Sequence, residues 1–288
     1  MLKRDPLAYA ALIASSALFA TGYIAARWIH PDAGMDMFVT QVMFAGAVAL
    51  SFFKRKGSLK EYIHHHLWPI MANAAGTPVV VYFVLKGSRV ITPSLSSIIV
   101  ISNALLIAVI AWGIGRKRFT GIQTAALTAG FCGVVWISLE RGALGGEWGG
   151  VAALLVSSVI IAVITVMLED TVTGIGGLAP TLLIFWISFA LCSIAMVFTQ
   201  GVWFHSAGQT ALAFFLGVFG MAAPVLLFNI GMGRIGAADA AAFKLLIPFF
   251  ALVYGYLLLG EMPTASSALA GFLVIASVWA YHHYGERR

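Results

Sequence analysis

The chain has 288 residues, of which 61% are hydrophobic and 10% charged. Soluble domains carry roughly 45–50% apolar and about 25% charged residues, so a water-soluble fold is excluded and an integral membrane protein is expected. Lys and Arg outnumber Asp and Glu by 17 to 11, but most of these cations fall in short loops between apolar runs, where they orient a chain in a bilayer rather than bind nucleic acid.

The first apolar stretch, 7–28, follows Lys3 and Arg4 in the manner of a signal peptide. It exceeds an h-region of roughly 7–15 residues, and more such segments follow, so it is a retained helix. A hydrocarbon core of about 30 Å takes roughly 20 helical residues. That criterion predicts ten segments, at 7–28, 34–53, 67–87, 91–113, 119–139, 149–168, 178–199, 210–231, 237–259 and 265–284. Gly34, Gly57, Gly115, Gly145, Gly146, Gly176, Gly177, Gly208 and Pro263 mark the turns between them. With the N-terminus cytoplasmic, inner loops hold Lys3, Arg4, Lys54, Arg55, Lys56, Lys60, Arg116, Lys117, Arg118, Arg234, Arg287 and Arg288. Outer loops and helix ends hold only Arg27, Lys86, Arg89 and Arg141, so both termini are expected in the cytoplasm. Cys132 and Cys192 lie in apolar segments without CxxC spacing and are expected to be buried, inert thiols.

Thr77 to Val90, "TPVVVYFVLKGSRV", returns as Ala223 to Ile235, "APVLLFNIGMGRI". Pro78 aligns with Pro224, Tyr82 with Phe228 and Gly87 with Gly233; after one deleted residue Arg89 meets Arg234, and the alignment then runs to Gly115 against Gly260. The predicted organisation is a first five-helix repeat over 1–145 and a second over 146–288, together one transporter unit. An odd number of crossings makes the second repeat enter the membrane from the opposite side. Inverted repeats of this kind place a substrate site near the midplane between the halves. The fold class is therefore an all-α integral membrane protein.

The last segments, "GRIGAADAAAFKLLIPFFALVYGYLLLGE", with Pro248, Gly260 and Glu261, resemble the drug/metabolite transporter superfamily, specifically its EamA-type proteins of ten helices in two repeats. The first half departs from that pattern: Asn103 and Gly115-Arg116 stand where the family has Pro and Gly-Glu, Thr21-Gly22 replaces Trp-Gly, and Gln41 replaces an Arg. The resemblance implies alternating-access transport or facilitated export of small metabolites across a bacterial-type inner (plasma) membrane. Within the superfamily the bacterial exporters of aromatic and neutral amino acids (the YddG type) are the nearest in kind.

Lys244 interrupts the apolar run of the ninth segment. It lies about 7 residues, roughly 10 Å, from the cytoplasmic end. Two readings stand: its stem snorkels to the inner interface, or its ammonium faces a watery cavity and meets a substrate carboxylate. Asp239, in the first turn of that helix and on another face, is expected to be a cap. Pro78, Pro224 and Pro248 free backbone carbonyls inside apolar helices and are candidate hinges. Candidate substrate contacts are Lys244, Tyr82 beside Pro78, its counterpart Phe228, the polar residues Ser97, Asn103 and Asn229, and the aromatic pair Phe19 and Tyr23. Asn73, Ser157 and Ser158 are further polar groups at membrane depth, for which interhelical hydrogen bonds are the default. Arg89 and Arg234 complete helix C-termini. His64, His65 and His66 are expected in a solvated loop, because successive helical side chains diverge by about 100°, and Glu169-Asp170 is taken as an isolated loop pair.

The leading function is a carrier for a small, partly apolar zwitterion. Proton-coupled efflux of cationic drugs is the alternative, and no obvious membrane carboxylate serves it. A sugar-phosphate carrier would need paired cations, and a membrane-embedded transferase an acidic metal cluster or an activated nucleophile. Expected partners are a small-molecule substrate and membrane lipids, with no nucleic acid, cofactor or metal; a monomer is expected, with a dimer as the alternative.

Overall fold

The computed structural model describes residues 5–30, 34–53, 59–90, 93–140, 148–199, 206–259 and 265–284. These form helices, with no strand among them. In chain order they are α1 (Pro6–Ala25), α2 (Met35–Ser51), α3 (Leu59–Val90), α4 (Pro93–Gly113), α5 (Gly121–Glu140), α6 (Trp148–Ile175), α7 (Leu178–Thr199), α8 (Ala207–Ile235), a composite α9 and α10 (Ala265–Tyr284). The composite α9 runs through Ala237–Phe243, a 3₁₀ turn at Lys244–Leu246, and Ile247–Leu259. Gly57, Gly145, Gly146, Gly260, Glu261, Pro263 and the cations Lys3, Arg4, Lys54, Arg55, Lys56, Arg141, Arg287 and Arg288 lie outside the described residues.

Local chemistry sets the helix boundaries. Asp5 caps α1 by accepting from the N–H groups of Leu7 and Ala8, with Pro6 at the first helical position, where a missing N–H costs nothing. Ser206 accepts from the Gln209 N–H at the start of α8. Between α8 and α9 stands Gly236 at φ 88°, a backbone setting that side chains disfavour; it lets the chain reverse within a single residue. Six described helices are long and apolar enough to cross a membrane: Pro6–Ala25, His66–Val90, Trp148–Ile175, Leu178–Phe198, Ala207–Ile235 and Ala237–Leu258. The outer surface is apolar, and Trp28, Trp68, Trp112, Trp148 and Trp279 are exposed on it, as suits residues that anchor at headgroup level.

Buried contact faces are rich in small residues, such as Ala8, Ala11, Ser15 and Ser16 on α1 and Ala45, Gly46 and Ala47 on α2. Small side chains let helix backbones approach closely, which is how helices associate where no hydrophobic force acts between them. The most extensive contacts follow a rule. α2 packs on α7 and α5 on α10, α1 packs on α8 as α6 packs on α3, α1 packs on α9 as α6 packs on α4, and α2 packs on α8 as α7 packs on α3. Exchanging the first five helices for the second five leaves this contact scheme unchanged. Leu12 of α1 fills the space beside Gly231 of α8, and Leu154 of α6 fills the space beside Gly87 of α3, where a Cβ would come within 2.6 Å of its Cγ.

Several expectations are corrected. α3 begins at Leu59 and α6 continues to Ile175, so His64 to His66 and Glu169-Asp170 are helical rather than in loops. The break in α3 is at His66 (φ −124°, ψ 15°), three residues before Pro69, and not at Pro78. The carbonyl freed four residues before Pro78, that of Ala74, accepts from Ser188 Oγ of α7 at 2.8 Å, which leaves α3 no reason to bend there. Pro224 and Pro248 do coincide with altered helix. Pro224 follows a π turn over Leu216–Ala222, in which the Ala223 N–H reaches back to Val218 O. Before Pro248, the Ile247 N–H takes the Lys244 carbonyl that the proline leaves without a donor, tightening that turn to 3₁₀. Cys132 is exposed and Cys192 half-buried, not the pair of buried thiols expected.

Candidate functional site

A cavity of about 180 Å³ lies between α1, α3, α4, α6, α8 and α9. It extends from Asn73 and Leu168 at one end to Ala26 and Ser88 at the other. One water-sized sphere needs roughly 10–15 Å³ of such volume, so the space suits a small solute. Most of its wall is apolar, and among the described residues Lys244 is the one charged residue on the lining.

The 3₁₀ turn carries Lys244 into this wall, where it is 7% exposed. Its Nζ donates to Asn103 Oδ1 at 3.4 Å and stands 4.2 Å from the centre of the Phe228 ring. That distance is within the range of a cation–π contact. Among the described residues no carboxylate pairs with it. Of the two readings of Lys244, the structure has the ammonium facing the cavity and not the inner headgroups.

Phe19, Tyr23, Asn103, Phe228 and Asn229 join Lys244 on the lining. Asn103 Nδ2 donates to the Val100 carbonyl, which turns its oxygen toward Lys244. Asn229 Nδ2 donates to Thr181 Oγ1 of α7 at 2.8 Å. Tyr82 and Ser97 are not on the lining. The Tyr82 ring meets Phe83 edge-on and lies under Lys86 Nζ at 5.7 Å, while Ser97 is fully buried one turn before Val100. Helical direction explains the first miss, since Pro78 does not bend α3 and Tyr82 therefore keeps the neighbouring face. Two lining residues that sequence reasoning did not select are Asn73, whose Nδ2 donates to Pro69 O and Ile164 O, and Ser88, whose buried Oγ has no hydrogen-bond partner.

Serines brace the backbone around the site from corresponding helices. Ser16 Oγ of α1 donates to Phe243 O at 2.9 Å, and Ser158 Oγ of α6 donates to Ile99 O at 2.7 Å. Lys244 and Ile99 are the counterparts aligned in the two halves, so each hydroxyl holds the chain at or next to the same position. Ser15 Oγ of α1 donates to Pro224 O at 2.7 Å beside the π turn.

Beyond the Leu168 end lies a network of charges that the sequence did not reveal. Arg116 donates to Glu169 Oε2 at 3.0 Å, Asp170 Oδ2 at 2.6 Å and Val166 O at 3.2 Å. Burial weakens the Arg116 charge, but the two carboxylates more than offset this and raise its pKa. Lys117 Nζ reaches both oxygens of Asp239 at 2.8 Å, and Tyr281 OH donates to Asp239 Oδ1 at 2.9 Å. Asp239 is thus the centre of a buried ion pair and not the cap of α9; the cap is Glu169, whose Oε1 accepts from the Ala237 N–H at 2.8 Å. Arg234 pairs with Asp5 at 2.7 Å on the same side. At the other end Arg89 donates to the His30 carbonyl, and Gln41 of α2 reaches Thr210 of α8 at 3.5 Å. His66 contacts Thr171 Oγ1 at 3.3 Å, and no group of three metal-ligating side chains occurs among the described residues.

Residues 148–281 match the EamA-like transporter family. No curated protein matches the chain. A solved structure, "Crystal structure of protein", is similar over 97% of this chain and 98% of that chain, with a TM-score of 0.78 at 14% identity, and that likeness is one of fold. Residues 148–281 are therefore an EamA-like transporter family domain, and with six described helices of membrane-spanning length and apolarity the chain is a multi-pass membrane protein.

Proposed function

We propose that the protein is a facilitative carrier that moves a small metabolite bearing a carboxylate on an apolar body across a bacterial-type inner membrane by alternating access. The observation that carries this reading is Lys244, an ammonium without a carboxylate partner among the described residues, on the wall of a mostly apolar cavity. Taking a charge out of water without a partner is costly, and a substrate carboxylate supplies the partner. Aromatic and neutral amino acids suit the apolar wall and the Phe19, Tyr23 and Phe228 rings, and export is the direction we assign.

The proposed topology has ten crossings in two inverted five-helix repeats, 1–145 and 146–288, with both termini cytoplasmic. The exchangeable contact scheme supports it, because repeats that pack alike can trade roles between two conformations. In this topology the Arg116, Lys117, Asp239 and Glu169 network lies on the cytoplasmic side. We assign the present conformation as closed there, with the cavity running toward the outer ends of α1 and α3.

Proton-coupled efflux of a cationic drug fits less well. A cation about 5 Å from the Lys244 ammonium would be repelled by roughly 3 kcal/mol at an effective dielectric of about 20, and the buried carboxylate of Asp239 is held by Lys117 outside the cavity lining. A sugar phosphate would find only a single lysine. Purified protein in liposomes should give saturable flux of labelled metabolites from a panel of amino and organic acids. Absence of saturable flux for every member, in protein that unfolds cooperatively, would reject the carrier.

A further inference from the structure

Resting on the carrier reading, we infer that the same cavity prefers monocarboxylates without an amino group over the amino acids that share their side chain. The argument is charge balance. Among the described residues the lining carries one ammonium, that of Lys244, and no carboxylate. Its remaining polar groups are neutral amides and hydroxyls such as Asn73, Asn229 and Ser88, which solvate a charge but do not neutralise it. A monoanion brings the site to zero net charge. A zwitterion leaves the site at plus one and confines a second ammonium within the same small volume as Lys244, where the low dielectric strengthens repulsion.

The geometry around Lys244 supports the same preference. Asn103 Oδ1 at 3.4 Å occupies one donor direction and the Phe228 ring at 4.2 Å another face of the ammonium, so one sector is left for a ligand oxygen. The nearest carboxylates that the structure describes toward that side are already engaged: Glu169 with Arg116 and the Ala237 N–H, and Asp239 with Lys117 and Tyr281. Neither is available to pair with a substrate ammonium unless the network breaks.

The test compares matched probes on the purified full chain in detergent by calorimetric titration: 3-phenylpropionate against L-phenylalanine, and 4-methyl-2-oxopentanoate against L-leucine. The inference expects each acid to bind at least about tenfold more tightly than its amino acid, a difference worth about 1.4 kcal/mol. Lys244→Met should abolish this preference by weakening the acids, while Lys244→Arg, which keeps the charge, should retain it; thermal unfolding checks that both variants fold. Equal or tighter binding of the amino acids overturns the inference, as does acid binding that survives Lys244→Met, or no binding of either acid. Liposome flux separates the two proposals: amino acids carried in preference to their matched acids reject the substrate preference alone, whereas no saturable flux of any panel member rejects the carrier itself.

Discussion

Lys117 and Asp239 are 122 residues apart in sequence, yet the Lys117 ammonium lies 2.8 Å from both Asp239 oxygens. The pair joins the segment after α4 to the first turn of α9, and Tyr281 of α10 completes it. Because the two side chains are 20% and 12% exposed, the interaction is screened less than a surface pair. Asp239→Asn should destabilise the protein by about 1–3 kcal/mol, less than the 3–5 kcal/mol of a fully buried pair. It should also raise the labelling rate, from the cytoplasmic side, of a cysteine introduced at Leu168. Unchanged unfolding temperature and labelling would remove this pair from the proposed closure.

Lys244→Met should lower substrate flux at least about tenfold while leaving the unfolding temperature unchanged or higher, because exchanging an uncompensated buried charge for an apolar group of similar volume is often neutral or stabilising. Parallel losses of flux and stability would point to a structural role instead.

The seats of Leu12 on Gly231 and of Leu154 on Gly87 can be tested by overpacking. Gly231→Ala and Gly87→Ala should each cost about 1–3 kcal/mol in thermal or denaturant unfolding. Adding Leu12→Ala should restore much of the loss at Gly231. Adding Leu154→Ala should restore less at Gly87, where the Gly150 carbonyl also stands 3.1 Å from the new Cβ. Similar cost at both glycines with no rescue at either would contradict the described packing.

Ser16→Ala and Ser158→Ala remove hydroxyls that hold backbone carbonyls of α9 and α4. Interhelical hydrogen bonds in membrane proteins average about 0.6 kcal/mol, so each change should cost roughly that amount. The two sites share no partner, and the double variant should lose the sum. A strongly non-additive result would mean that the two braces are coupled through the helices between them.

The Arg234 guanidinium hydrogen-bonded to Asp5, with the Ala8 N–H behind it, holds the Asp5 carboxyl below its ordinary range. A depressed carboxylate pKa adds stability at pH values above the unfolded pKa, and this is lost as pH falls through the folded one. Asp5→Asn keeps a good capping residue and removes the charge. The difference in unfolding temperature between the parent and Asp5→Asn should therefore be constant from about pH 7 to about pH 5 and shrink below about pH 4. A difference that grows on acidification would contradict the pairing.

Much of the helical framework was legible because the signals are local. Length and apolarity located the spans, and Pro224 and Pro248 the altered turns. The errors have non-local causes: α6 continues past residue 168 because Glu169 and Asp170 find Arg116, a partner 53 and 54 residues away, and Pro78 fails to bend α3 because Ser188 of another helix supplies the missing donor. Asn103, Asn229, Phe228, Phe19 and Tyr23 were selected as polar or aromatic groups at membrane depth, and all line the cavity. Tyr82 and Ser97 met the same criterion and do not.

By itself the sequence determined that this is a helical membrane protein with a charge where hydrocarbon should exclude one, since composition, span length and proline positions act over a few residues. The direction of that charge was left to the tertiary structure. Whether the Lys244 ammonium reached headgroups or a cavity depended on a 3₁₀ turn, on Asn103 of another helix and on the Phe228 ring. Those partners meet only when helices distant in sequence pack face to face, and no local pattern encodes which faces meet.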